Sequence, residues 1–322
     1  MTDVPVNAAG AAVPTPGPGR ERLDELVAAR VTDTERGVSL WRGAWARLRR
    51  NPVAIIGAAI VALFVLVAIF APLLAPYEPA KAQWNSEVTV SSVPGPYPGH
   101  PLGLDSFGSD MLTQLLYGAR QSLIIGVVST VLGLAIGAAL GLLAGAFGGI
   151  VDTLVMRFVD ILLSIPSLLL AVSVAAILGR RPESLMIAIA VAQVPIFARL
   201  LRGSLLSQRG ADYVLAGWSL GLRRRTVVMS HMLPNSLGPV IVQATLTLAT
   251  AIIEVAALSY LGLGAPDPQV AEWGRMLVKA IERLEASPQL ALLPGACIAV
   301  TALGFTLLGE AMREALDPKF RR

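Results

Sequence analysis

Glu254 stands in the apolar stretch "AIIEVAALSYLGLG" with no charged residue within a helical turn on either side. An ionisable group in so oily a run either hydrogen-bonds across helices or faces a water-filled transport path, and the sequence leaves both open. A second apolar run holds Asp152, Arg157, Asp160 and Ser164. Asp160 is one turn from Arg157, so it pairs with that arginine or turns with Ser164 toward the path. Asp152 and Arg157 lie near the mouth of the run, within reach of headgroups. His100 and Asp105 are metal-ligand types, but the chain has 2 histidines and no third ligand at a suitable spacing, so they read as turn residues. A phosphate-binding P-loop needs Gly-Lys before Ser or Thr, whereas Lys81, Lys279 and Lys319 follow Ala80, Val278 and Pro318. With no nucleophile elbow, metal cluster or paired carboxylates, catalysis and a bound cofactor are not expected of this chain.

One short basic segment interrupts the apolar runs: "DYVLAGWSLGLRRRTVVMSHMLPN", residues 212–235. Asp212 favours a helix N-terminus through the dipole, and Gly221 is a natural stop for a helix over 212–220. The segment is too short to span and is followed by Arg223, Arg224 and Arg225, so it belongs in the cytosol. Tyr213, Val214, Leu215, Trp218 and Leu220 are too many apolar residues for a lone solvated helix. Such a helix lies on the membrane surface or enters a partner's groove. A second run then ends at Pro234-Asn235, where another span begins.

The elements that must carry these residues follow from composition. Of 322 residues, 54% are hydrophobic and 15% charged, with mean hydropathy +0.65. Soluble domains carry about 25% charged residues, so the deficit points to lipid. The basic pI near 9.6 is not matched by an aromatic-interleaved basic patch, which argues for a membrane surface and against nucleic acid. Cys297 is the single cysteine and permits no intrachain disulfide. Residues 1–38 read as a disordered cytosolic tail. Trp41, Ala44, Trp45 and Leu48 then recur at helical spacing among arginines, predicting an amphipathic interfacial helix over 39–51.

From residue 52 to the end, six apolar segments approach the roughly 20 residues needed to span: 53–75, 121–146, 151–178, 184–202, 238–262 and 288–310. The expected fold is therefore all-α, with a cytosolic loop at about 203–235. Fourteen Lys and Arg on one set of ends against seven on the other put both termini in the cytosol. Arg180 and Arg181 run against that pattern. The outer loop 76–120, rich in proline, should be irregular up to a short helix near 108–118. Pro166 should kink the third span, with Ser164 or a neighbour satisfying the freed carbonyl. Gly133, Gly137, Gly141, Gly145 and Gly149 recur every four residues on nearly one helix face, the pattern of a tight helix–helix seam.

The 212–235 segment resembles the "EAA" coupling loop of ABC-importer permeases: Glu-Ala-Ala, a glycine four residues on, then Leu-Pro. Here the matching positions are Leu215-Ala216-Gly217, Gly221 and Leu233-Pro234. The spacing is kept, but Leu215 replaces the glutamate and Gly217 the second alanine, so any pairing by that glutamate is lost or passes to Asp212. "HPLGLDSFGSDMLTQLLYGARQSL" (100–123), "MRFVDILLSIPSLLLA" (156–171), "LSYLGLG" (258–264), "EWGRML" (272–277) and "LLGEAMREALDPKF" (307–320) resemble the second permease of the dipeptide/oligopeptide branch. Nickel, opine and antimicrobial-peptide importers share these motifs. The resemblance implies a type I importer permease of the bacterial cytoplasmic membrane, paired with a homologous permease. It also implies two cytosolic ATPases carrying ATP and Mg, and an extracytoplasmic binding protein delivering peptide. Asp212, Tyr213, Leu215, Ala216, Gly217, Trp218, Gly221, Arg223 and Pro234 would then contact or shape the ATPase coupling surface. A self-sufficient transporter or channel would favour internal repeats and ion ligands on broken helices; no convincing repeat is present.

Overall fold

The computed structural model describes residues 40–79, 82–89, 93–264, 266, 270–281 and 283–316. The tail 1–38 lies outside the described residues. The chain divides at Gly43 into two units. In the first, the described residues are the helical Leu40–Gly43; residues from Ala44 onward belong to the second. The helices are α1 (Leu40–Leu48), α2 (Pro52–Leu74), α3 (Met111–Phe147), α4 (Gly149–Leu163), α5 (Ser167–Leu178), α6 (Pro182–Gln208), α7 (Asp212–Ser219), α8 (Leu233–Leu258), α9 (Trp273–Ile281) and α10 (Gln289–Leu316). Among the described residues there is no strand, only isolated bridges pairing Tyr97 with His100 and Leu104 with Asp110.

Among the described residues, five helices are long and apolar enough to cross a membrane: α2, α3, α6, α8 with its flanking turns, and α10. The expected third span differs. It is a broken pair, α4 and α5, bent by 91°, where a kinked single helix over 151–178 was expected. Pro166 cannot continue a helix, and Ser164 turns back to close the first half, its Oγ donating to the Ile161 carbonyl at 2.7 Å. A second difference is at the start of α3. The short helix expected near 108–118 is continuous with the span, because Asp110 caps one unbroken 37-residue helix through Thr113 N–H at 2.8 Å. No proline or glycine pair interrupts residues 111–121, so nothing ends the helix there.

Burial ranks the helices. Two-thirds (67%) of the apolar window of α6 is buried, against 17% for α2, so α6 is central and α2 peripheral. Three apolar clusters fill the bundle interior. The first gathers Met111, Leu115, Leu123, Ile252, Trp273 and Phe305. The second holds Ile125, Leu185, Ile189, Val255 and Leu258. The third, at the end where α6 meets α7, holds Phe197, Leu201, Leu205, Val214, Val227 and Met232.

The glycine spacing positions α3 against α6. A Cβ at Gly137 would stand 2.6 Å from the Val194 carbonyl oxygen, and one at Gly141 2.5 Å from that of Ala198. Gly133 meets Ala190 and Gln193 in the same way, and Gly145 meets Leu205. Four successive steps along α3 thus match four along α6, and the two helices run in the same direction. Gly149 is a correction: it has φ +57° and open space around it, because α3 has already ended and α4 begins there.

Helix α9 was not anticipated. Trp273, Met276 and Ala280 are buried on one face, and the Trp273 indole donates to the Leu115 carbonyl at 3.1 Å. The Glu272 carboxylate holds its first turn, accepting from Gly274 N–H at 2.7 Å, Arg275 N–H at 3.1 Å and Ser122 Oγ at 3.3 Å. Complete burial pushes the Glu272 carboxyl above the usual range, against those donors.

Candidate functional site

Helix α7 is held by a minority of its residues. Val214 is fully buried in the third cluster and Gly217 is buried beside Val227. The remainder points outward: Tyr213 is 40% exposed, Leu215 51%, Trp218 43% and Leu220 80%. Asp212 and Ala216 are exposed as well. Apolar side chains do not spread over one small protruding helix without something to cover them.

The helix ends in a defined way. Gly221 has φ +72°, its N–H donates to Trp218 O at 3.0 Å, and Leu222 N–H donates to Gly217 O at 3.1 Å. These paired bonds are those of the Schellman closure and require a left-handed residue at position 221. Arg223 then opens a single helical turn, its carbonyl accepting from Val227 N–H at 3.1 Å. Pro234 does not mark a break, as the sequence suggested. A π turn over Val227–Met232 precedes it and runs directly into α8.

Arginines tie this hairpin to the end of α3. Arg209 Nη2 donates to the Gly145 carbonyl at 2.7 Å, and Arg224 Nη2 to that of Phe147 at 2.9 Å. Both occupy carbonyls of the last turn, where cations are favoured. Asp152 receives Arg202 in a two-pronged contact, Nη2 to Oδ2 at 2.7 Å. Asp160 pairs with Arg199 at 2.7 Å, not with Arg157 on its own helix. The sequence counted Arg199, Arg202 and Arg209 only toward orientation; the 3.6-residue period along α6 places Arg199 and Arg202 on neighbouring positions facing α4.

Glu254 lies in α8 with its Oε2 buried and without a hydrogen-bond partner among the described residues. Ser167, at the start of α5, is a polar neighbour of its carboxyl. Ser164 is exposed and spends its hydroxyl on its own helix. Glu254, Asp160 and Ser164 are therefore not gathered in one site. His100 and Asp105 serve separate roles: His100 Nδ1 meets Asp110 Oδ1 at 2.8 Å, while Asp105 Oδ1 accepts from Phe107 and Ser109 N–H at 2.9 and 2.8 Å.

Two family descriptions match this chain. Residues 137–322 match the binding-protein-dependent transport system inner membrane component, and residues 39–91 match the N-terminal TM domain of oligopeptide transport permease C. The chain belongs to the binding-protein-dependent inner-membrane permease family. It is 42% identical over 289 residues to the dipeptide transport system permease protein DppC of Alkalihalophilus pseudofirmus, covering 90% of this chain and 93% of that one. It is 40% identical to the glutathione transport system permease protein GsiD of Escherichia coli O6:K15:H31, covering 87% and 91%. The oligopeptide transport system permease protein OppC of Bacillus subtilis is 36% identical, covering 94% and 98%. An inward-facing structure of the MetNI methionine ABC transporter shares the fold, with TM-score 0.54 at 20% identity over 64% of this chain and 98% of that one. This permease is thus a multi-pass inner-membrane protein with a type I importer fold.

Proposed function

We propose that this permease is one of two that form the path of an ATP-driven importer of short peptides, and that α7 is its coupling surface to a cytosolic ATPase. The observation that carries the reading is the split character of α7. Val214 and Gly217 are seated in the core, while Leu215, Trp218 and Leu220 are left uncovered. ATP and Mg would reside on the ATPases, and both termini would face the cytosol with α7. A binding protein would deliver substrate at the opposite end of the bundle. The names of the relatives support di- and oligopeptides as the substrate class. Closure of the ATPases would move α7, and through α6 and the π turn into α8 would switch the path between its two openings.

Trp218→Ala and Leu215→Asp test this directly. A central aromatic anchor at an interface is worth about 2 kcal/mol or more, so each substitution should release the ATPase on purification or uncouple hydrolysis from transport. Expression and span packing should be unchanged. If both variants keep the ATPase and substrate-stimulated hydrolysis at the original level, α7 is not the coupling surface.

A further inference from the structure

At the end of α6 opposite α7, a cleft of about 250 Å³ opens between the α5–α6 turn, the end of α8 and α9. Its lining includes Arg180, Ser259, Gly262, Arg275, Lys279 and Phe107. Three of these six are basic, at the end of the bundle where the chain otherwise carries few cations. The floor is built. Ser259 is 2% exposed. The Lys279 side chain is 15% exposed, with its Nζ 4.9 Å above the Phe107 ring. Its nearest described carboxylate, Asp105 Oδ2, is 3.6 Å away, beyond a normal hydrogen bond. Asp105 Oδ1 is already taken by two backbone N–H groups. Burial pushes the Lys279 ammonium below its usual range, and the ion pair with Asp105 offsets part of that shift. Inside the π turn at Ser259–Leu263, Gly262 leaves helical geometry with φ +78°, and among the described residues nothing lies within 4 Å of where a Cβ would stand.

We infer that this cleft takes a carboxylate, that of the peptide's C-terminus, as substrate enters the permease at this end. Arginine and lysine over a hydroxyl are the donors a carboxylate requires, since each contributes N–H or O–H groups; an incoming carboxylate would compete with Asp105 beside Lys279 and with Glu272 beside Ser259. The volume suits the terminus of a chain, not a whole oligopeptide. Exposed Arg180 meets the anion at the rim and half-enclosed Lys279 receives it below, an order that steers before it binds. The inference rests on the importer reading above. An acidic side chain of the binding protein is the other source of the same chemistry, and the test separates the two.

The test uses the whole transporter in liposomes, with its binding protein loaded to equal occupancy by a dipeptide or by the same dipeptide as its C-terminal amide. The original permease should import the free acid about ten-fold faster than the amide, in keeping with one hydrogen-bonded charge. Lys279→Met and Arg180→Gln should each slow the free acid alone and bring the two rates together. Arg180 lies on an exposed turn, so its substitution carries the test even if Lys279→Met fails to assemble. An unchanged preference in both variants overturns the inference. So does equal slowing of both peptides together with weaker docking of the empty binding protein, which would assign the cleft to that protein. Import of neither peptide by the original permease would instead sink the peptide reading, and this inference with it.

Discussion

Two glycines four residues apart on the coupling segment behave in opposite ways. Gly217 is helical, and a Cβ there would lie 3.5 Å from Val227 Cγ2 and 3.6 Å from Leu222 Cδ1, ordinary contact distances. Gly217→Ala, which installs the residue common in the family, should therefore stabilise α7 by about 0.5–1 kcal/mol, seen as later loss of the ATPase on heating. Gly221 has φ +72°, so Gly221→Val should cost about 1–2 kcal/mol or more and weaken coupling without touching the apolar face. Equal effects of the two substitutions would show that the helix closure is not what these positions serve. The Gly221 stop could be read from the sequence because left-handed closure has one preferred residue. The Asp160–Arg199 contact could not, because partners 39 positions apart leave no local trace.

At the scale of elements, the α3–α6 seam leaves no room even for a methyl group. Gly141→Ala would place a carbon 2.5 Å from the Ala198 carbonyl oxygen, backbone that cannot rotate away. It should destabilise the permease by about 1–3 kcal/mol, measured as a lowered thermal transition of the solubilised complex. Gly203→Ala is the matched control: it lies inside α6, toward its C-terminal end, with nothing within 4 Å, and should be neutral or stabilising by up to about 1 kcal/mol. A shared loss would mean that helix geometry and not the seam sets the response. The four-residue spacing wrote this contact into the sequence, as Asn51-Pro52 wrote the start of α2. Two things were less legible. Pro166 announced a bend, but its size depends on how α5 packs on α6. Helix α9 carries helical spacing in Trp273, Met276 and Ala280, yet nine residues are too few to stand out from a loop until Glu272 and Ser122 are brought together.

At the scale of the whole molecule, orientation is open to a direct test. With Cys297 replaced by Ala, Ser86→Cys in the outer loop should react with an impermeant thiol reagent added outside intact cells. Ser207→Cys at the α7 end should react only after lysis, as the excess of Lys and Arg at that end predicts. The reverse labelling would invert the bundle and move the basic cleft to the cytosolic side. The seam then says something about mechanics. Because α3 presents only glycine at four successive positions of its seam with α6, the pair has no slack between its members and moves as a single beam. At 1.5 Å per residue α6 is about 40 Å long, with the seam as its waist. A tilt of about 10° about that waist swings its two ends by roughly 3–4 Å in opposite senses. One stroke at α7 thus has a mirrored stroke built in beside Arg180, so this half of the bundle can widen at one mouth only by narrowing at the other.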